Sequence, residues 1–135
     1  MNETAKLIGV GYLVLVATLV AEFLASLALG LAGLVPQDAV GGAWLWAVTW
    51  MMLLAAPLVL AASFGSAYAL IKVNTAAEAL PVGLVWAGIA GLTHAMIGLG
   101  NGTIGMFASP GTYVMLAAVA LGAWLAGRHR ERRAA

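Results

Sequence analysis

The chain has 135 residues, of which 64% are hydrophobic and 8% charged, with a formal net charge of +1. A soluble domain gives about a quarter of its residues to Asp, Glu, Lys and Arg, so this composition excludes a water-soluble globule, a disordered chain and a nucleic-acid-binding domain. With no cysteine, disulfides, thiolate catalysis and cysteine-held metals or clusters are excluded as well.

The expected class is an all-α, polytopic membrane protein folded as one domain. The long apolar runs lack the alternation of a barrel strand. Charges fall at Glu3, Lys6, Glu22, Asp38, Lys72, Glu78 and then from Arg128 onward. One crossing takes about 20 apolar residues. The run between Asp38 and Lys72 therefore fits one long helix, and the run between Glu78 and Arg128 fits two. With the opening segment the chain predicts four transmembrane helices.

Helix 1 is expected over about 7–34, ended by Val35-Pro36 and the polar Gln37-Asp38. Helix 2 follows over about 44–71, bounded by Gly41-Gly42 and by Lys72-Val73-Asn74. Thr75 and Glu78 have capping-box spacing, and Pro81 suits a first helical position, so helix 3 is placed over about 81–107. A competing turn signal at Asn101-Gly102 would end it near Leu99 and leave Thr103 to Ala108 as an interfacial or re-entrant piece. Ser109-Pro110-Gly111 supplies a cap, a first-turn proline and a turn, placing helix 4 over about 110–127 with a basic tail over 128–135.

Four crossings put both termini on one side, with the loop between helices 2 and 3. All six basic residues collect there: Lys6, Lys72, Arg128, Arg130, Arg132 and Arg133. The other side holds Asp38 and no basic residue. That asymmetry predicts a cell-membrane protein with both termini cytoplasmic. Trp44, Trp46 and Trp50 are then expected at the outer interface, and Trp86 and Trp124 toward the inner one. The four tail arginines read as a stop-transfer and orientation signal that touches anionic headgroups. Glu22 interrupts any signal-peptide cleavage region, so helix 1 is read as a retained span.

Small residues mark the helix faces. Helix 2 carries Ala61, Gly65 and Ala69, and helix 4 carries Ala118, Gly122 and Ala126. Helix 3 carries Ala87, Gly91, His94, Gly98, Gly102 and Gly105 on one stripe. Spacing of this kind lets membrane helices approach closely, so packing is the expected role. The glycine density of helix 3 also suits an unwound segment of the kind that binds ions or polar solutes.

Helix 1 carries a polar stripe of Thr18, Glu22 and Ser26. Glu22 lies about 24 Å beyond Lys6 along a helix, and His94 about 20 Å beyond Pro81. Pro57 and Tyr113 fall near the same level, counted back from Lys72 and Arg128. A carboxylate inside a bilayer costs about 2.5–3.5 kcal/mol on insertion scales, so Glu22 must be protonated, paired or wetted. Glu22 and His94 are expected to meet across helices 1 and 3 as a proton-handling pair. Tyr113 is a candidate third member, and Thr18, Ser26, Asn101 and the carbonyl freed by Pro57 are supporting groups. The opposing reading is structural, with both residues simply satisfied by local hydrogen bonds.

Other apparent motifs carry little. Asn2-Glu3-Thr4 and Asn101-Gly102-Thr103 match the glycosylation pattern, but on the cytoplasmic side and in or beside the bilayer. His94 alone cannot supply both axial ligands to a haem within one chain, which would take the two copies of a symmetric dimer, and no metal-ligand cluster or nucleophile–base spacing is visible. No cofactor and no enzymatic activity are expected. The lone membrane glutamate of helix 1, Glu22, is similar to that of the small multidrug exporters, which like the fluoride channels share the length and four helices, but the remaining stretches show neither family's motifs. The expected function is a small proton-linked transporter or channel-like homo-oligomer. The alternative is a non-catalytic accessory subunit of a larger membrane complex.

Overall fold

A computed structural model describes residues 2–34 and 42–135. The inter-helix turn expected at Val35 to Gly41, with Asp38, lies outside the described residues. Four helices are long and apolar enough to span a membrane: α1 Glu3–Leu31, α2 Gly42–Ser66 with its continuation to Ile71, α3 Ala76–Asn101 and α4 Pro110–Ala134. No strand occurs among the described residues.

Local chemistry sets the helix ends. The Asn2 side chain accepts from the Ala5 N–H and opens α1. In α3 the Thr75 hydroxyl accepts from the Glu78 N–H, while the Glu78 carboxylate accepts from the Asn74 N–H. This is a capping box displaced by one residue. Ser109 caps α4 by accepting from the Gly111 N–H, with Pro110 in the first turn. At its other end α2 widens into a π-helical turn, Ala67–Ile71, and stops at Lys72 in the left-handed conformation (φ 62°).

Three expected boundaries need correction. α3 begins at Ala76, where the Thr75 cap starts it, so Pro81 lies inside the helix and not at its first position. α3 stops at Asn101 rather than running to Phe107. Gly102 takes the left-handed conformation (φ 78°) and returns its N–H to the Gly98 carbonyl, so the glycine acts as a C-terminal cap. A 3-10 turn, Ile104–Ala108, then leads into α4. Helix 4 does not stop at Gly127 either. It carries the basic tail as helix to Ala134.

The helices pack in the ring order α1–α2–α4–α3, so each touches two neighbours and α1 stands diagonally from α4. The seams around α4 are backbone-close. A Cβ at Gly111 would meet the Thr49 backbone, one at Gly122 the Leu60 carbonyl, and one at Gly83 the Ala120 backbone. The Ala118–Gly122–Ala126 stripe is buried, as expected. The stripe on α2 is not: Ala61, Gly65 and Ala69 face outward, and nothing lies near Gly65. The buried side of α2 is instead Val48, Met52, Ala55, Ala56, Val59 and Ser63. The α1–α3 seam is the most sparsely packed of the four.

The N-terminus of α1, the α2–α3 connection and the C-terminus of α4 share one end of the bundle, called the basic end below. Three contacts fix this: Trp86 Nε1 to the Leu7 carbonyl, Gly127 against Thr75, and Arg130 to the Tyr68 carbonyl.

Candidate functional site

Glu22 and His94 meet. The inward face of α1 runs through Gly11, Leu15, Thr18 and Glu22, and that of α3 through Trp86, Ala90, His94 and Gly98. These are three- and four-residue steps that keep a helix face in register. His94 Nε2 lies 2.7 Å from Glu22 Oε1 across the α1–α3 seam. The pair stands about 14 Å short of the end of α1 and about 10 Å short of the end of α3, in the half of the bundle away from the basic end. The imidazole is 4% exposed and the carboxyl 11%.

The second ring nitrogen determines the proton count. His94 Nδ1 is 2.6 Å from the Ala90 carbonyl, which can only accept, so Nδ1 carries a hydrogen and donates it. Nε2 then has two ways to bond Glu22. A neutral imidazole accepts from a carboxylic acid, or an imidazolium donates to a carboxylate. In both, one proton sits between the two residues and the pair is electrically neutral. Removing that proton leaves a net negative charge. It also sets a nitrogen lone pair against either the carboxylate or the Ala90 carbonyl. The arrangement can therefore hold, release and take back one proton in a low-dielectric setting, and its two hydrogen bonds depend on that proton.

The remaining expected site residues are distributed as follows. Tyr113 is not a third member: it is 55% exposed, and its hydroxyl donates to the Phe107 carbonyl at 2.7 Å. Ser26 and Pro57 face outward, so neither supports the pair. Thr18 is buried on the same face, but its hydroxyl donates to the Val14 carbonyl at 2.8 Å. Asn101 belongs to the turn after α3, where its side-chain oxygen accepts from the backbone and hydroxyl of Thr103.

Of the glycines expected on helix 3, Gly98 lies against the Ile104 backbone and Gly91 faces Leu116 at ordinary contact distance, while Gly105 falls in the 3-10 turn and faces Trp44. Gly102 serves as the cap already described. α3 is continuously helical up to Asn101, so no unwound segment adjoins His94.

At the basic end Arg128, Arg132 and Arg133 are exposed. Arg130 turns inward, donating to the Tyr68 carbonyl at 2.9 Å with its guanidinium 4.1 Å from the centre of the Tyr68 ring. It caps the end of α2 from α4, instead of reaching outward with the others. Arg128 lies over the Trp124 ring.

Two side-chain contacts elsewhere in the bundle escaped the sequence reading. Trp86 is not an interface marker. It is buried, 1% exposed, and its indole N–H donates to the Leu7 carbonyl at 2.9 Å. It sits on Gly11, where a Cβ would come within 2.7 Å of the ring. Its place two helical turns from His94 on one face was the available signal. The other is Ser109, whose hydroxyl is 2.6 Å from that of Thr49 and ties the start of α4 to α2.

Among the described residues no group of three or more His, Asp or Glu side chains converges on a point, and every buried side-chain nitrogen and oxygen has a hydrogen-bond partner. Comparisons with protein-family models, with curated proteins and with solved structures returned no match.

Proposed function

We propose that this is a non-enzymatic, multi-pass cell-membrane protein with both termini cytoplasmic. Its function would be proton-linked transport or permeation as a homo-oligomer, with Glu22 and His94 as the proton-handling centre. The observation that carries the reading is the 2.7 Å contact between Glu22 and His94, with Nδ1 already committed to the Ala90 carbonyl. An ionisable pair at bilayer depth is costly, and such residues mark ion and proton pathways.

Orientation rests on the six basic residues gathered at one end. On this reading the exposed Arg128, Arg132 and Arg133 reach lipid phosphates, each worth about 1 kcal/mol near an anionic surface. Four helices packed on one another enclose little aqueous space, which is the argument for assembly.

The test is proton flux into liposomes loaded with a pH-reporting dye. The wild-type protein should pass protons with a rate that depends on pH. Glu22→Gln, which keeps a hydrogen bond but cannot ionise, should abolish the flux while remaining folded. Correctly inserted wild-type protein without flux would refute the transport reading.

One observation favours the second reading, an accessory subunit in a larger membrane complex. Pro57, Ala61, Gly65 and Ala69 form an outward ridge on α2 with nothing packed over Gly65. Co-purification with larger membrane subunits, together with no flux, would support that reading.

A further inference from the structure

Two polar clasps cross the α1–α3 seam, and only one of them can titrate. Nearer the basic end, the Trp86 indole N–H donates to the Leu7 carbonyl at 2.9 Å. About 22 Å further along α1, Glu22 meets His94 at 2.7 Å. The first clasp joins a neutral donor to a backbone carbonyl. It is locked sterically as well, since the indole ring fills the space beside Gly11. The second needs a proton, by the count given above.

We propose that Trp86 and Gly11 are positioning residues that form a hinge. They hold the basic end of the α1–α3 seam closed while loss of the pair's proton parts the far end. The inference rests on the reading of Glu22–His94 as a proton-handling pair. Proton loss replaces an attractive contact with a buried negative charge and an opposed lone pair. The seam it holds is the most sparsely packed in the bundle. It lacks the glycine-to-backbone contacts that close the seams around α4.

No other titratable or charged group among the described residues faces the pair to offset the change. Tyr12 of α1 is exposed, Tyr68 in the π-helical turn of α2 lies at the basic end under Arg130, and the 3-10 turn carries none. The Tyr113 hydroxyl of α4 is bonded to the Phe107 carbonyl. Glu3, Lys6, Lys72, Glu78 and the residues from Arg128 onward lie at the basic end. The hydroxyls of Thr18, Thr49 and Thr112 donate to backbone carbonyls of their own surroundings.

The chain has no cysteine, so paired spin labels can be placed freely. Leu27→Cys with Leu99→Cys reports the far end, and Ile8→Cys with Leu84→Cys the basic end. All four positions are exposed. Distances are measured in lipid nanodiscs in acidic and in alkaline buffer. The far-end distance should lengthen in alkali by about 2 Å or more, the scale of helix shifts in switching proteins. The basic-end distance should stay fixed. Glu22→Gln should abolish the far-end change.

Trp86→Phe, which removes the donor and keeps an aromatic ring, should make the basic-end distance pH-dependent too. If that variant does not fold, Gly11→Ala displaces the indole to the same effect. A far-end distance insensitive to pH, equal movement at both ends of the wild type, or movement that survives Glu22→Gln would overturn the hinge. Opening without proton flux would leave the hinge standing and remove the transport reading. Flux without opening would do the reverse.

Discussion

A double-substitution cycle on Glu22 and His94 tests the physical contact independently of any activity. Glu22→Leu leaves His94 Nε2 without a partner in a site where the ring is 4% exposed, and stranding a buried polar group costs about 1–3 kcal/mol. His94→Leu strands the carboxyl, which is 11% exposed, and should cost a similar amount. Removing both partners in favour of apolar groups of similar size is close to neutral. The double variant should therefore recover most of the two losses. Coupling energies between polar side chains of membrane helices reach about 1.7 kcal/mol, which sets each single loss at the low end of that range, about 1 kcal/mol, and the expected coupling at about 1–2 kcal/mol. Glu22→Gln should cost less than about 1 kcal/mol, because its amide can still donate to Nε2. Unfolding in mixed micelles, followed by fluorescence of the five tryptophans, measures all four stabilities. A coupling below about 0.5 kcal/mol, the limit within which independent sites add, would refute the argument that the two side chains are joined.

Two further outcomes follow from the packing. Gly122→Val should destabilise the bundle by about 2–3 kcal/mol through overpacking. A Cβ there already meets the Leu60 carbonyl and comes within 2.8 Å of Ser63, whose hydroxyl donates to the Val119 carbonyl. Gly65→Val, with nothing near it, should change monomer stability by less than about 0.5 kcal/mol. It should shift the distribution of assembled species on a sizing column if the α2 ridge is an interface. Lys72→Gly should raise thermal stability by about 1 kcal/mol, because φ 62° strains a side-chain-bearing residue and not glycine. A loss of stability there would show that the lysine side chain outweighs the backbone strain.

The number of long apolar helices and the level of the pair along them were legible in the chain, and the directions in which the helices face were mostly not. Counting residues from charged ends places Glu22, His94 and Tyr113 at comparable heights, because a helix rises by a fixed amount per residue. Height says nothing of azimuth. His94 points across the seam to Glu22, whereas Tyr113 turns back to the Phe107 carbonyl. In a soluble helix the apolar stripe would resolve that ambiguity. Here Leu, Val and Ile lie on every side of each helix, so the usual contrast between faces vanishes.

Glycine was the remaining cue, and it carries more than one meaning. Gly122 marks a close approach, Gly65 stands uncovered, and Gly102 is a helix cap. The end of α3 followed the same logic: Asn101-Gly102 was visible as a turn, but a long apolar run made continuation to Phe107 look equally good. The polar core of the site was legible for a simpler reason. Glu22 and His94 were the only acid and imidazole within the apolar runs, so each was the other's natural partner.

The wide turn that closes α2 has a consequence for tolerance to change in chain length. Between Ala67 and Ile71 the backbone accommodates an extra residue per ring relative to the rest of the helix. Deleting a single residue there would let the segment rewind as ordinary α-helix, whereas a deletion anywhere else in α2 would rotate the remainder by about 100° and turn its inward residues outward. This turn also leaves the Tyr68 carbonyl free for Arg130. The shortened chain would thus forfeit the tether between the second and fourth helices while keeping their shared core, separating the anchoring of the arginine-bearing terminus from the folding of the bundle itself.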